Sequence, residues 1–371
     1  MQRHERATTG TRARLNVRAG AAILAALLVA CVGSLPWTLG QNSDGEARYN
    51  AGSAAQARIA PFWAGGQSRA PDTPPAQRFW LGSDVLGRSV LIRCLTGGGI
   101  SLLIGLSAAL LSVCIGTFYG AASGYAGGRI DAVMMRIVDV LYGLPYVLLV
   151  VLLAVASDAL VDEYVSRHRA RTGMVRELVA ASLAAAGQPA DRIAVVAAIA
   201  ANDPAAAEAA QIAAERYPPR RLSAGSRRAL DLVTLFAAIG GVSWLTMARV
   251  VRAQVLSLKN QPFVLAARAM GASTPRVFVR HLLPNLTGTI TVYATLTVPQ
   301  AILQESFLSF LGIGVKPPLP SWGTLASEGL GELNPYASAW WLLLFPCLLL
   351  GVTLLSLSFV GEGLKRAEAS R

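Results

Sequence analysis

Six long apolar stretches alternate with polar ones along this chain, at residues 20–40, 97–120, 137–157, 231–250, 286–312 and 339–361. A helix needs about 20 mostly apolar residues, each rising about 1.5 Å, to cross the roughly 30 Å hydrocarbon core of a bilayer. Each stretch therefore predicts a membrane-spanning helix. The last runs from Ala339 to Gly361 without a charge. Arg136, Asp139 and Asp231 lie at or just inside the ends of the third and fourth stretches, where ionisable side chains reach the interface. The first stretch has a second reading. Arginines followed by AAILAALLVA look like a signal peptide, and Leu28-Val29-Ala30-Cys31 like a lipoprotein cleavage box. The apolar run continues through Leu35, Trp37 and Leu39, which makes it long enough to span.

The polar stretches set the sides, because lysine and arginine collect in short cytoplasmic loops. Residues 1–19 carry Arg3, Arg6, Arg12, Arg14 and Arg18 against Glu5 alone. The loop after the fourth stretch, 250–285, has no acid, and the tail 362–371 carries Lys365, Arg366 and Arg371. An even number of spans puts these three segments on one side, so both termini are expected in the cytoplasm. Residues 41–95, rich in Gly, Pro, Ala and Gln (PDTPPAQ at 72–77), read as an extracytoplasmic loop. Residues 158–228 are alanine-rich and mixed in charge. Within them 172–186 and 204–216 read as helices, broken by Gly187-Gln188-Pro189 and Pro218-Pro219. The run at 194–201 is too short to span. The expected fold is an all-α integral membrane protein with six transmembrane helices. Its core is 96–157 and 229–361, preceded by the first helix at 20–40, and 158–228 is an extracytoplasmic helical insertion.

Composition agrees with this reading. Of 371 residues 53% are hydrophobic and 15% charged, with a mean hydropathy of +0.47, against about a quarter charged in soluble chains. The net charge of +12 raises nucleic acid as a partner, but no basic stripe with interleaved aromatics appears, and membrane topology accounts for the excess. Cys31, Cys94, Cys114 and Cys347 form no C-x-x-C pair and His4, His168 and His281 are far apart, so no metal site is expected. No catalytic arrangement of Ser, His and Asp or of paired carboxylates is visible. Nor is there a G-x-x-x-x-G-K-[ST] phosphate loop, so ATP is not expected to bind this chain.

The loop 250–285 carries the densest local signals. Residues 262–270 are good helix formers, and Gly271 supplies the left-handed residue that ends a helix. Thr274 offers an N-cap oxygen, Pro275 suits a first helical position, and Pro284 is expected to end this second helix at the membrane. The product is a surface helix–turn–helix with Ala266, Ala267, Ala269, Ala272 and Ser273 on view. Small side chains admit close approach by a partner's groove. The alternative is an amphipathic surface helix held by anionic lipid.

The segment AARAMGASTPRVFVRHLLPN at 266–285 resembles the "EAA" loop of binding-protein-dependent ABC importer permeases, especially the oligopeptide and dipeptide family. LGSDVLGRSVL at 81–91, GYAGGRIDAVMMRIVDVLYGLP at 124–145, ESFLSFLGIGVKPPLPSWG at 305–323 and GEGLKRA at 361–367 fit the same family in order. Leu265 stands where the glutamate that names the loop would be, and the insertion 158–228 has no counterpart in the pattern. The resemblance implies a multi-pass permease of the cytoplasmic (inner) membrane, not itself an enzyme, that forms part of a path for peptides. It also implies a second permease chain, two ATP-binding subunits and an extracytoplasmic solute-binding protein. Ala266, Ala267, Arg268, Gly271, Ala272, Ser273, Thr274, Pro275 and Pro284 would then couple to the ATPases, whose closure would push residues 262–283 as a rigid element.

Two further places are singled out. Glu305 lies within the fifth span, where an ionisable group costs a few kcal/mol or more unless it faces protein or water. It reads either as part of the translocation path or as a structural hydrogen-bonding group. Asp84 and Arg88 precede the second span and read as capping and loop pairing, or as a contact for the binding protein. Other small solutes such as nickel or glutathione remain alternatives to peptides. A stand-alone secondary transporter or channel is the rival of another class, one that would need broken helices or several buried charges.

Overall fold

The computed structural model describes residues 2–43, 45–64, 79–188, 191–201, 203–216, 224–333 and 338–369. Among these residues the chain is helical and has no β-strand. In order the helices are α1 (Gln2–Thr38), α2 (Val90–Ala126), α3 (Gly128–Gly143), α4 (Tyr146–Ala185), α5 (Arg192–Ala200) and α6 (Pro204–Arg216). They continue with α7 (Ala224–Leu258), α8 (Pro262–Ala269), α9 (Thr274–Val277), α10 (Leu283–Phe310), α11 (Trp322–Gly331) and α12 (Trp341–Ala369).

Five straight segments are long and apolar enough to cross a membrane: Asn16–Thr38, Val90–Ala126, Val233–Leu258, Thr274–Phe310 and Trp341–Ala367. They coincide with five of the six expected spans. The third, 137–157, is not one straight helix. It is α3 followed by the start of α4, bent by 96°. Pro145 has no N–H with which to continue α3, and it pushes Leu144 to an extended φ of −78° and ψ of 143°. α5 and α6 form a second bent pair at 87°, so the candidate spans number five, or up to seven if each pair counts as one. Outward side chains such as Phe118 (77% exposed) and Leu110 (65% exposed) suit a lipid surround, since water disfavours large apolar patches.

By contacts the chain divides into two units, Leu153–Asp231 and the remainder. The smaller has a core of its own, with Val179, Leu183, Val195, Ala206 and Ala209 buried together. Asp191 caps α5 by accepting the Ala194 N–H at 2.7 Å. The helices expected at 172–186 and 204–216 are present, whereas Pro189, Pro218-Pro219 and PDTPPAQ lie outside the described residues.

In the larger unit α2 is the hub, and glycines let other backbones approach it. On one face Gly116, Gly120 and Gly124 recur every fourth residue against α7, the small-xxx-small pattern of close membrane-helix packing. A Cβ on Gly116 would sit 2.5 Å from the Met247 Cβ, one on Gly124 2.8 Å from the Arg252 carbonyl oxygen, and one on Gly120 would overlap the Ala248 carbonyl oxygen. A core of Ile104, Ala108, Val138, Ile239, Val242 and Ala301 joins α2, α3, α7 and α10.

Candidate functional site

The helix–turn–helix forms as its turn chemistry predicts, with local corrections. α8 starts at Pro262 and ends before Gly271, whose φ of +84° is the left-handed turn. The N-cap of α9 is Ser273, without a side-chain cap bond, so Thr274 and Pro275 are one place further into the helix than expected. Pro284 does not end the helix. A π-turn over Phe278–Leu282 leads directly into α10, with Pro284 in its first turn. There the missing N–H of Pro284 leaves no ladder bond broken.

Burial sorts this segment in a way the residue types alone do not. Val264, Ala267, Val277 and Leu282 are buried against Val251, Val255 and Leu286 of α7 and α10. Ala267 therefore faces inward, not on view as expected, and Ala272 is half-buried. Ala266, Arg268, Ala269, Gly271, Ser273, Thr274 and Pro275 are exposed. So are larger apolar groups that the small-residue reading passed over, Leu265, Val279 and above all Met270 at 82%. The exposure of Leu265 means that its replacement of a glutamate leaves no internal partner unpaired.

Beneath the segment, the ends of α2 and α3 meet the end of α7. Arg252 donates to both Asp131 oxygens, at 2.5 and 2.6 Å, and Ser123 donates to the same carboxylate at 2.5 Å. Lys259 donates to the Gly124 carbonyl at 2.7 Å, a cation at the negative end of α2. Tyr125 donates to the Thr274 hydroxyl at 3.3 Å, and the Arg268 guanidinium lies 4.8 Å from the centre of its ring. Arg249 reaches Asp139 at 2.8 Å and stacks 4.0 Å from the centre of the Tyr142 ring. Sequence reading noted Asp139 as interfacial but did not join these pairs; the visible signal was isolated acids facing basic residues of another span.

At the other end of α2 is a buried ion cluster. Asp84 accepts from the backbone N–H groups of Leu86 and Arg88 at 2.9 Å each, from Arg88 Nε at 2.6 Å and from Arg93 at 2.8 Å. Arg93 also clasps Glu328 of α11 at 2.5 and 3.0 Å. Asp84, Arg88 and Arg93 are 3%, 8% and 2% exposed, so the accessible acid is Glu328. Arg58 pairs with Glu332 at 2.6 Å, and this hydrogen bond raises the guanidinium above its ordinary range.

Glu305 is fully buried. Ser101 of α2 donates to it at 2.8 Å and Ser309 at 2.6 Å, while Ser309 in turn accepts the Val315 N–H at 3.0 Å. Trp322 closes the same junction by donating from its indole to the Cys94 carbonyl at 3.1 Å. Glu305→Ala is expected to lower stability by about 2–3 kcal/mol, because it leaves buried hydroxyls without their acceptor, while Glu305→Gln costs about 1 kcal/mol or less. Thermal unfolding of the purified complex in detergent measures both.

A groove of about 650 Å³ lies beside this junction, lined by α3, α7 and α10. Leu303 and Gln304 border it and Glu305 does not.

A model of the "Binding-protein-dependent transport system inner membrane component" family matches residues 112–371. The chain is 37% identical over 294 residues to the dipeptide transport system permease protein of Bacillus subtilis, covering 79% of this chain and 69% of the relative. With the oligopeptide transport system permease protein of Salmonella typhimurium the identity is 38% over 305 residues, 82% of this chain and 75% of the relative. The matched region takes in the end of α2, the broken third span, the helix–turn–helix and the Glu305 junction. This chain is thus a multi-pass membrane protein that belongs to the family of binding-protein-dependent transport system inner membrane components.

Proposed function

We propose that this chain is a permease subunit of an ABC importer and forms part of the path for di- and oligopeptides. The names of its relatives support peptides as the solute. The observation that carries the coupling role is the acid-free helix–turn–helix, seated by buried Val264, Ala267, Val277 and Leu282 and tied to α2 through Tyr125. Such an element moves as a body, and α2 and α3 move with it. Two ATP-binding subunits, a second related permease chain and an extracytoplasmic solute-binding protein complete the machine, and ATP binds only in the partner subunits. In this reading both termini are cytoplasmic and the bent α3–α4 pair is the third of six spans. Asp84 and Arg88 brace the outer loop from within, and the Glu305 junction holds helices together.

Met270→Asp tests the docking role. The side chain is 82% exposed, so the change leaves the fold intact, yet it puts an acid where an ATPase surface would close over an apolar knob. ATP-driven uptake is expected to fall about tenfold or more, with reduced retention of the ATPase on the purified permease, as expected for a truncated interface anchor. Wild-type uptake and retention would remove the segment from the coupling role.

A further inference from the structure

The groove lined by α3, α7 and α10 has a chemistry that the coupling role does not use. Ser243, Thr246, Tyr293, Thr297, Gln300 and Gln304 present hydroxyls and carboxamides to it, and none of its lining residues is Asp, Glu, Lys, Arg or His. Tyr293, Thr297, Gln300 and Gln304 are spaced three or four apart and so form one stripe along α10. Polar side chains along a membrane span point to water or protein and away from lipid. Thr297 donates its hydroxyl to the Tyr293 carbonyl at 2.8 Å, and Ser243 donates to the Ile239 carbonyl at 2.8 Å, so what these two offer the groove is acceptor capacity. A carboxamide offers both a donor and an acceptor, which is what a peptide bond requires.

The spacing agrees. Positions four apart on a helix rise by about 6 Å, and alternate peptide groups of an extended chain, which face the same way, repeat at about 6.6 Å. Leu141, Leu144, Leu296 and Leu303 surround the stripe with apolar surface that makes no demand on charge.

We propose that Gln300 and Gln304 bind successive same-facing backbone amides of an extended peptide in this groove. The path through this subunit then reads the peptide backbone and is indifferent to side-chain charge. The inference rests on the permease reading above and names the part of the peptide that is recognised.

The test uses the complete transporter in proteoliposomes with three probes, Ala-Ala-Ala, Ala-Lys-Ala and Ala-Glu-Ala. The double variant Gln300→Leu with Gln304→Leu is expected to lower uptake of all three about tenfold and in equal proportion, the effect of one or two lost hydrogen bonds. Gln300→Glu is expected to shift the Ala-Lys-Ala to Ala-Glu-Ala uptake ratio about fivefold toward the cationic peptide, by introducing a charge where none lines the groove. Unchanged uptake in the double variant would show a lipid-facing groove and overturn the inference. Loss of co-purification with partner subunits would show a packed subunit interface and overturn it equally. If the wild-type transporter moves none of the probes with ATP, the peptide-permease reading fails and the inference falls with it.

Discussion

Gly120→Val is expected to prevent assembly of the larger unit, because the α2 backbone at residue 120 lies directly on the α7 backbone. A Cβ there would overlap the Ala248 carbonyl oxygen and come within 3.0 Å of the Ala248 carbonyl carbon and Cα. These are backbone atoms on a long helix and have no rotamer through which to escape. Overpacking a membrane core costs about 1–3 kcal/mol when side chains can yield, and here the helices must separate, so the cost lies at or above the top of that range. The Asp131–Arg252 and Lys259–Gly124 links lie one to two turns further along the same seam, and they would open with it. Gly124→Val is expected to be milder, since its nearest contact is at 2.8 Å. Gly351→Ala, with nothing within 4 Å of its Cβ, is the control. It adds a better helix former at a permissive site and is expected to be neutral or slightly stabilising. Membrane yield and monodispersity on size-exclusion chromatography rank the three. Equal behaviour of the two valine variants and the control would mean that α2 and α7 are not packed as described.

Arg93→Leu is expected to have the second large effect. The guanidinium is 2% exposed and holds both Asp84 and Glu328. Its removal leaves Asp84, itself 3% exposed, with Arg88 as its remaining cation. Breaking a buried ion pair by deleting one partner costs about 3–5 kcal/mol, mostly from the charge left behind. Arg93→Lys keeps the charge but loses the two-pronged grip and is expected to fall between. Adding Asp84→Asn to Arg93→Leu should recover part of the loss, since it removes the stranded charge, and this non-additivity is the signature of a direct pair. Unfolding temperatures of the detergent-purified complex give all three values. A single Arg93→Leu variant as stable as the wild type would exclude the cluster as a fastening of α2 to α11.

Much of the fold was legible because a bilayer imposes a simple local rule. Backbone polar groups must be satisfied within each segment, so length and apolarity alone placed five straight spans. The turn at Gly271 was equally local, as only a residue tolerant of positive φ ends a helix in that manner. Pro145 was also visible in the sequence, yet the apolar run 137–157 was counted as one helix. Apolarity reports the solvent around a segment and not whether its axis is straight. The rival class, a stand-alone transporter, was set against a lack of broken helices and buried charges. The structure has both, in the α3–α4 bend and the Asp84–Arg93 cluster, and they serve to pack this permease fold.

The acid-free loop that set the topology shows where sequence stops. By itself the sequence determined that residues 262–283 make two short helices around a left-handed glycine, that the spans are helices, and that the chain belongs in a membrane, because each follows from chemistry within a few residues. Only the tertiary structure decided that Ala267 faces inward while Met270 stands out, and that Tyr125 meets Thr274 across 149 residues of chain and Arg93 meets Glu328 across 235. It alone gathered Gln300 and Gln304 into a groove with residues of α3 and α7. Which face of a helix is buried depends on what packs against it, and those contacts join segments that no local pattern relates.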